Sequence, residues 1–320
     1  MTPQVRMLNL RVLLIGEEAA GVQTLRMLAG GPHTLVGVMA SPAKAGGLSP
    51  SVWTVARALG QTTWPAELVK DAGFAARVKS NAVDLILNVH SLYLIDGEIL
   101  RAPTIGSFNL HPAPLPRYAG LNSVSWAIYH GETVYGVTIH EMVPGIDAGP
   151  IAYQTLFPIE PSDNGFNVSA KCIHEGFELC RRLLADASCS PHAIPRMPQD
   201  LTQRSYFGRA VPAGGLLSWS APARSVVNFV RACDFYPFTS AWGNPWTSMA
   251  GRKLAVCSAS LTGESCLAPP GTVRRSGNDL QVATADEWVV LRRISIDGRF
   301  LDPAYVIKSG DRFGVVPAAA

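Results

Sequence analysis

Four near-continuous apolar runs, Leu10–Ile15, Leu35–Met39, Val83–Val89 and Ile105–Leu110, constrain the fold of this chain most strongly. Each is strand-length and lacks the polar–apolar alternation of a strand with one wet face, so each reads as a strand covered on both sides. Helical segments alternate with them. Val22, Leu25 and Leu28 recur at helical spacing within Ala19–Leu28, a helix is expected over Val52–Leu59, Ala75–Val78 belongs to another, and Gly97–Leu100 forms a short one. This alternation predicts a parallel-rich, right-handed, Rossmann-like α/β layer. Its first turn reads Gly16-Glu17-Glu18-Ala19-Ala20-Gly21, in which the Gly-x-Gly-x-x-Gly pattern is incomplete. The two acids would also repel a pyrophosphate, so the stretch reads as a tight turn and not a dinucleotide site.

The fourth run ends in Asn109-Leu110-His111, and Pro112, Pro114 and Pro116 follow at once. A proline cannot donate to a sheet ladder, so the strand stops there and Asn109 and His111 sit at its end, where open α/β sheets place their ligands. Further on, β-rich runs Val134–Met142 and Ile151–Ile159 flank the tight loop Pro144–Pro150, which carries Asp147 at its tip. A helix opened by an Asn122 cap is expected over Asn122–Tyr129. A long helix should follow Asp163 to about Ala187, with Phe166, Ile173, Phe177, Cys180 and Leu184 on its buried face.

Asn109, His111 and Asp147 suggest a chemistry as residue types. Imidazole is the side chain best suited to moving a proton near neutral pH, and a carboxylate beside it orients it. An Asn amide offers a neutral donor to an oxyanion forming on a carbonyl. Together they fit acyl transfer to an amine, and no Ser or Cys is set as a nucleophile, so direct attack is simpler than a covalent intermediate.

Composition excludes other classes. With 48% hydrophobic and 16% charged residues the chain is a folded protein, and a net charge of +3 argues for neither a nucleic-acid nor a membrane surface. No apolar stretch reaches spanning length and Val12–Ile15 is too short for a signal core, so a cytoplasmic protein is expected. The six cysteines (Cys172, Cys180, Cys189, Cys233, Cys257, Cys266) show no Cys-x-x-Cys pair or finger spacing, and read as buried thiols with no metal site. Residues 1–187 form the expected catalytic domain and the proline-rich 188–222 a linker. In 223–320, a helix over Ala223–Cys233 precedes short strands at Leu254–Ser258, Thr272–Arg275, Leu280–Thr284 and Trp288–Ile296, the pattern of a small, OB-like β-barrel.

Phe108-Asn109-Leu110-His111, with Pro114-Leu115-Pro116-Arg117-Tyr118-Ala119-Gly120 after it, resembles the signature of formyltransferases that use 10-formyltetrahydrofolate. So do Gly131-Glu132-Thr133, Gly136-Val137-Thr138-Ile139-His140 and Asp147-Ala148-Gly149. The family includes methionyl-tRNA formyltransferase, amino-sugar N-formyltransferases and formyl domains of peptide synthesis. The likeness covers about residues 10–187, and Gly215–Trp219 with Asn228–Ala232 resembles the domain that many members append.

The resemblance implies 10-formyltetrahydrofolate as formyl donor. Asn109 would bond the formyl oxygen, His111 would handle the amine proton, and Asp147 would support it or relay the proton. Folate would lie against the backbone of Tyr93-Leu94-Ile95 and of Val143-Pro144-Gly145-Ile146-Asp147. His140 also matches but, lying within a β-rich run, reads as structural. Members that formylate charged tRNA carry a basic insertion where this chain has Ser41–Pro50 with only Lys44, which disfavours tRNA. Leu121 stands where enzymes acting on a uridine-diphosphate sugar often carry Arg. A small amine or hydroxylamine acceptor is therefore expected, such as an amino sugar, an amino acid or a carrier-bound aminoacyl group, free, nucleotide-linked or carrier-protein-bound, with no membrane partner, and a homodimer is allowed. Hydrolysis of 10-formyltetrahydrofolate, methionyl-tRNA formylation and folate binding without catalysis stand as rival readings.

Overall fold

The apolar runs become the central strands of a seven-stranded sheet in the structure, a computed structural model that describes residues 8–42, 50–91 and 93–314. In chain order the elements are β1 (Arg11–Gly16), α1 (Glu18–Ala29), β2 (Thr34–Ala40), α2 (Val52–Ala58), β3 (Thr63–Pro65), α3 (Phe74–Ser80), β4 (Leu85–Val89), α4 (Gly97–Leu100), β5 (Gly106–His111) and β6 (Ala119–Gly120). They continue with α5 (Ser123–Tyr129), β7 (Val134–Glu141), β8 (Ile151–Pro158), α6 (Gly165–Cys189), β9 (Tyr206–Phe207) and α7 (Ala223–Cys233). Six strands complete them: β10 (Trp246–Met249), β11 (Arg252–Ser265), β12 (Val273–Ser276), β13 (Asp279–Ala283), β14 (Glu287–Ile296) and β15 (Arg299–Leu301).

The chain divides into two compact units. The first takes Met1–Gly120, Gly136–Phe157 and Lys171–Tyr206, and the second Leu121–Tyr135, Pro158–Ala170 and Phe207–Ala320. This partition differs from the sequence-based bounds of 1–187, 188–222 and 223–320. The second unit gathers α5 because α5 packs against α7: Ser125 Oγ donates to the Ala232 carbonyl at 2.9 Å, and Trp126 meets Trp242 edge-on and stacks on Phe207. Residues 188–206, expected as linker, fold with the first unit instead.

In the first unit the strand order is β3-β2-β1-β4-β5-β7-β8. The pairs from β3 to β5 are parallel, and β7 lies antiparallel to β5. One sheet face is covered by Leu25 and Leu28 of α1 and Leu179, Leu183 and Leu184 of α6, all in one buried cluster. Each such leucine contributes about 1.5–3 kcal/mol relative to exposure. A Cβ on Gly176 of α6 would come within 2.9 Å of Leu110, so its absence lets helix and strand close. The face expected on α6 needs a correction at its start, since Phe166 is 39% exposed and the buried stripe begins at Val168. Asn122 also departs from expectation: it is left-handed, with φ 55°, and its side chain makes no cap bond, because a capping carboxamide needs an extended residue to reach the next N–H groups.

The second unit holds the antiparallel sheet β10-β11-β14-β13-β12, with β15 on β14. Arg312 bridges Thr272 and Phe313 bridges Met249, which links the two ends of that order into a barrel-like closure. Trp219 is fully buried in this unit and donates to Thr247 Oγ1 at 3.0 Å. The six cysteines are unpaired, and Cys189, unlike the other five, is exposed at the end of α6, against the expectation that all are buried. No helix among the described residues is long and apolar enough to cross a membrane.

Candidate active site

Register across three strands assembles the site. Asn88 of β4 stands opposite Asn109 of β5, and Asn109 stands opposite His140 of β7. Side chains alternate along a strand, so Phe108 and Leu110 feed the core beneath α1 and α6 while Asn109 and His111 share the other face. Ile86 packs into the core on that face, which fixes Asn88 to the same side.

A chain of hydrogen bonds sets the direction of each amide and ring. His140 Nδ1 lies 3.0 Å from the Glu141 carbonyl, an acceptor only, so Nδ1 carries the proton of the neutral ring. Nε2 then accepts from Asn109 Nδ2 at 3.1 Å. Asn109 Oδ1 in turn accepts from Asn88 Nδ2 at 2.8 Å. Asn109 is left with one amide hydrogen to offer, and it is half-buried at the strand end.

His111 is 5% exposed and held from both sides. Its Nε2 donates to the Tyr118 carbonyl at 2.9 Å, so in the neutral ring Nδ1 bears the lone pair. Asp147 Oδ2 lies 3.6 Å from that Nδ1 and also accepts from the Gly120 N–H at 2.8 Å. Asp147 Oδ1 is 3.4 Å from His140 Nε2. Burial pushes the His111 imidazole below its ordinary value, and the upward pull of Asp147 and the Tyr118 carbonyl does not cancel it. Burial works the opposite way on Asp147, raising it, yet the charge that His111 and His140 carry when protonated, together with the Gly120 N–H, holds its carboxyl well below the usual carboxylate range. The ring is thus a neutral base with a fixed anion beside it, able to take one proton on Nδ1.

The Asp147 loop closes tightly. A Cβ on Gly149 would sit 1.8 Å from the Glu141 carbonyl oxygen, so no other residue fits where the loop returns past the end of β7. Asp147 itself is left-handed, with φ 51°.

The structure brings Asn109, His111 and Asp147 together as the sequence suggests. It corrects the reading of His140, which contacts both Asn109 and Asp147 and belongs to the same network. Its partner strand is what brings it in, and register between strands is not written in local sequence. Asn88 was missed for the same reason. Of the expected folate-binding residues, Tyr93 and Ile95 pack on one core cluster with Met142, the residue just before the Val143–Asp147 segment, so both segments start from the face that carries Asn109 and His111. Leu94, Val143 and Ile146 are exposed apolar side chains beside them, at 66%, 37% and 39%. Pro144 is exposed and Gly145 exposed with it. Lys44 lies outside the described residues, and Leu121 is half-buried in the second unit.

Comparison with known proteins identifies the family and the fold. The family model described as formyl transferase matches residues 10–182, and that of the formyl transferase C-terminal domain matches 211–308. The fold is similar to an N-formyltransferase from Helicobacter canadensis in complex with folinic acid and dTDP-3-aminofucose, at 17% identity and TM-score 0.68, over 88% of this chain and 98% of that one. It is also similar to a sugar N-formyltransferase from a Shewanella species, at 20% identity and TM-score 0.61, over 77% and 96%. HypX from Aquifex aeolicus in complex with tetrahydrofolic acid matches at 16% identity and TM-score 0.57, over 93% of this chain and 47% of that longer one. With both models matched in order over most of its length, the chain belongs to the formyl transferase family.

Proposed function

We propose that this protein transfers the formyl group of 10-formyltetrahydrofolate to the primary amine of a small acceptor, an amino sugar carried on a nucleotide being the best-supported class. The observation that carries the reading is the pairing of a neutral, buried His111 with an Asn109 amide that has one donor to spare. The two segments that would meet folate fit a flat heteroaromatic ring. They offer loop backbone for its polar edge and Leu94, Val143 and Ile146 for its faces. Bound there, 10-formyltetrahydrofolate supplies an activated formyl carbon on N10.

The residues then divide the work. Asn109 donates its remaining N–H to the oxygen that gains charge as the amine adds to the formyl carbon. His111 Nδ1 accepts the proton that the amine loses, and Asp147 stabilises the imidazolium so formed. As the carbon–N10 bond breaks, the same proton leaves Nδ1 to neutralise N10, so the base ends as it began. The relatives from Helicobacter canadensis and Shewanella, one with a dTDP-amino sugar bound and one a sugar N-formyltransferase by name, support the acceptor class. The test is mass spectrometry of acceptor panels incubated with 10-formyltetrahydrofolate: amino-sugar nucleotides, free amino sugars, amino acids, carrier-bound aminoacyl groups and charged initiator tRNA. A formyl adduct on the amino-sugar nucleotides alone is the expected result. Adducts on tRNA, or formate release without any amine, would replace this reading.

A further inference from the structure

Residues 196–206, expected as part of a linker, lie across both loops that hold His111. We propose that this segment is a positioning strap for the catalytic base, with Gln199 as its principal positioning residue. The inference rests on the functional reading above.

His111 is oriented by two groups, the Tyr118 carbonyl at Nε2 and the Asp147 carboxylate at Nδ1. Both belong to non-glycine residues in the left-handed region, Tyr118 at φ 61° and Asp147 at φ 51°. Such conformations cost about 1–3 kcal/mol each and persist only where surrounding contacts enforce them. The strap supplies those contacts at both places. Gln199 Nε2 donates to the Asp147 carbonyl at 2.9 Å and to the Gly149 carbonyl at 2.6 Å, so its two amide hydrogens bracket the turn that carries the acid. Arg204 Nη2 donates to the Ile146 carbonyl at 2.7 Å. On the other loop, the Tyr118 N–H donates to Ser205 Oγ at 2.8 Å and the Ala119 N–H to the Ser205 carbonyl at 2.9 Å.

The strap is itself anchored. Met197 and Ile151 exchange two backbone bonds, and Arg196 pairs with Glu141 at 2.7 Å while also donating to the Ile105 carbonyl. One short segment therefore sets the spacing between the two groups that grip the imidazole. Gln199 is suited to its place because it carries two hydrogens on one nitrogen. A glutamate there would set a carboxylate against two carbonyls, and a methionine would keep the length without any donor.

The experiment compares Gln199→Met, Asp147→Asn and the double variant. In Gln199→Met, kcat should fall about 10- to 100-fold while KM for the acceptor changes little. In an Asp147→Asn background the same change should cost little further, because the strap acts through Asp147. A second readout needs no turnover: NMR titration of His111, whose ring faces Asp147, the Tyr118 carbonyl, His140 and His90. Withdrawing the carboxylate should move its midpoint to lower pH in Gln199→Met. An unmoved midpoint with wild-type kcat would overturn the proposal, as would an equal loss of kcat in both backgrounds. Should Gln199→Met fail to fold, Ser205→Ala carries the test, with a smaller fall in kcat expected and wild-type kcat overturning it. A wild type inactive toward every acceptor would sink the functional reading alone, and the His111 titration would still decide the strap.

Discussion

Asn88 Nδ2 donates to Asn109 Oδ1 at 2.8 Å, and this bond determines which end of the Asn109 amide faces outward. Without it the amide could rotate and present an oxygen where, in the proposed transfer, the formyl oxygen gains charge. Asn88→Leu keeps the bulk but removes the donor, at a cost of about 1–3 kcal/mol in transition-state stabilisation. Asn88→Asp is the sharper test, since a carboxylate only accepts and would draw Asn109 Nδ2 toward itself. Single-turnover formyl transfer should be slower in Asn88→Asp than in Asn88→Leu; the reverse order would refute this role.

In the proposed transfer Asn109 donates to charge that exists only as the amine adds, so its loss should appear in kcat and not in KM. Asn109→Ala is expected to lower kcat by about 10²–10³, or about 2.7–4 kcal/mol. Steady-state kinetics against both substrates would check the split.

The pH profile follows from His111. Burial depresses its imidazole, so the ring remains a neutral base as pH falls past its ordinary value of about 6.5. The acid limb of kcat/KM should therefore lie below about 6.5. Asp147→Asn removes an upward pull on His111, so the limb should move further down while kcat falls about 10²–10⁴-fold. An acid limb that rises in Asp147→Asn would contradict the assignment.

Stability carries the same sign. The unfolded chain protonates His111 below about 6.5 and the folded chain does not, so acidification through that range favours unfolding. Asp147 has a depressed carboxyl, and its contribution persists above the unfolded value of about 3.9 and is lost only as pH falls through its folded value. His111→Gln should thus flatten the fall in melting temperature between roughly pH 7 and 5, where His111 alone of the pair titrates.

Gly149→Ala tests the loop that carries the acid. The new Cβ would meet the Glu141 carbonyl oxygen, which belongs to a strand and cannot yield cheaply. A loss of about 1–3 kcal/mol is expected from the midpoint of urea unfolding.

The central strands were legible because both-face burial leaves an apolar run, and β1, β2, β4 and β5 fall within two residues of where those runs lie. Asn109, His111 and Asp147 were legible because a strand end, a proline stop and a tight loop are local features. Asn88 and His140 were not, because they meet Asn109 through the pairing of β4 and β7 with β5, which no local spacing encodes. The strap was hidden for a related reason. A proline-rich stretch without periodicity looks like linker, and the bonds of Gln199 to Asp147 and Gly149 span 52 and 50 residues.

The most direct measurement follows a labelled formyl group from 10-formyltetrahydrofolate in the wild type, in Asn109→Ala and in His111→Gln, with and without a dTDP-linked amino sugar. Label should pass to the sugar amine in the wild type, only when the amine is present, with both variants slowed by at least about 10²-fold while still folded. Label released as formate at one rate with or without the amine, or transfer at the wild-type rate in either variant, would contradict a direct transfer at Asn109, His111 and Asp147.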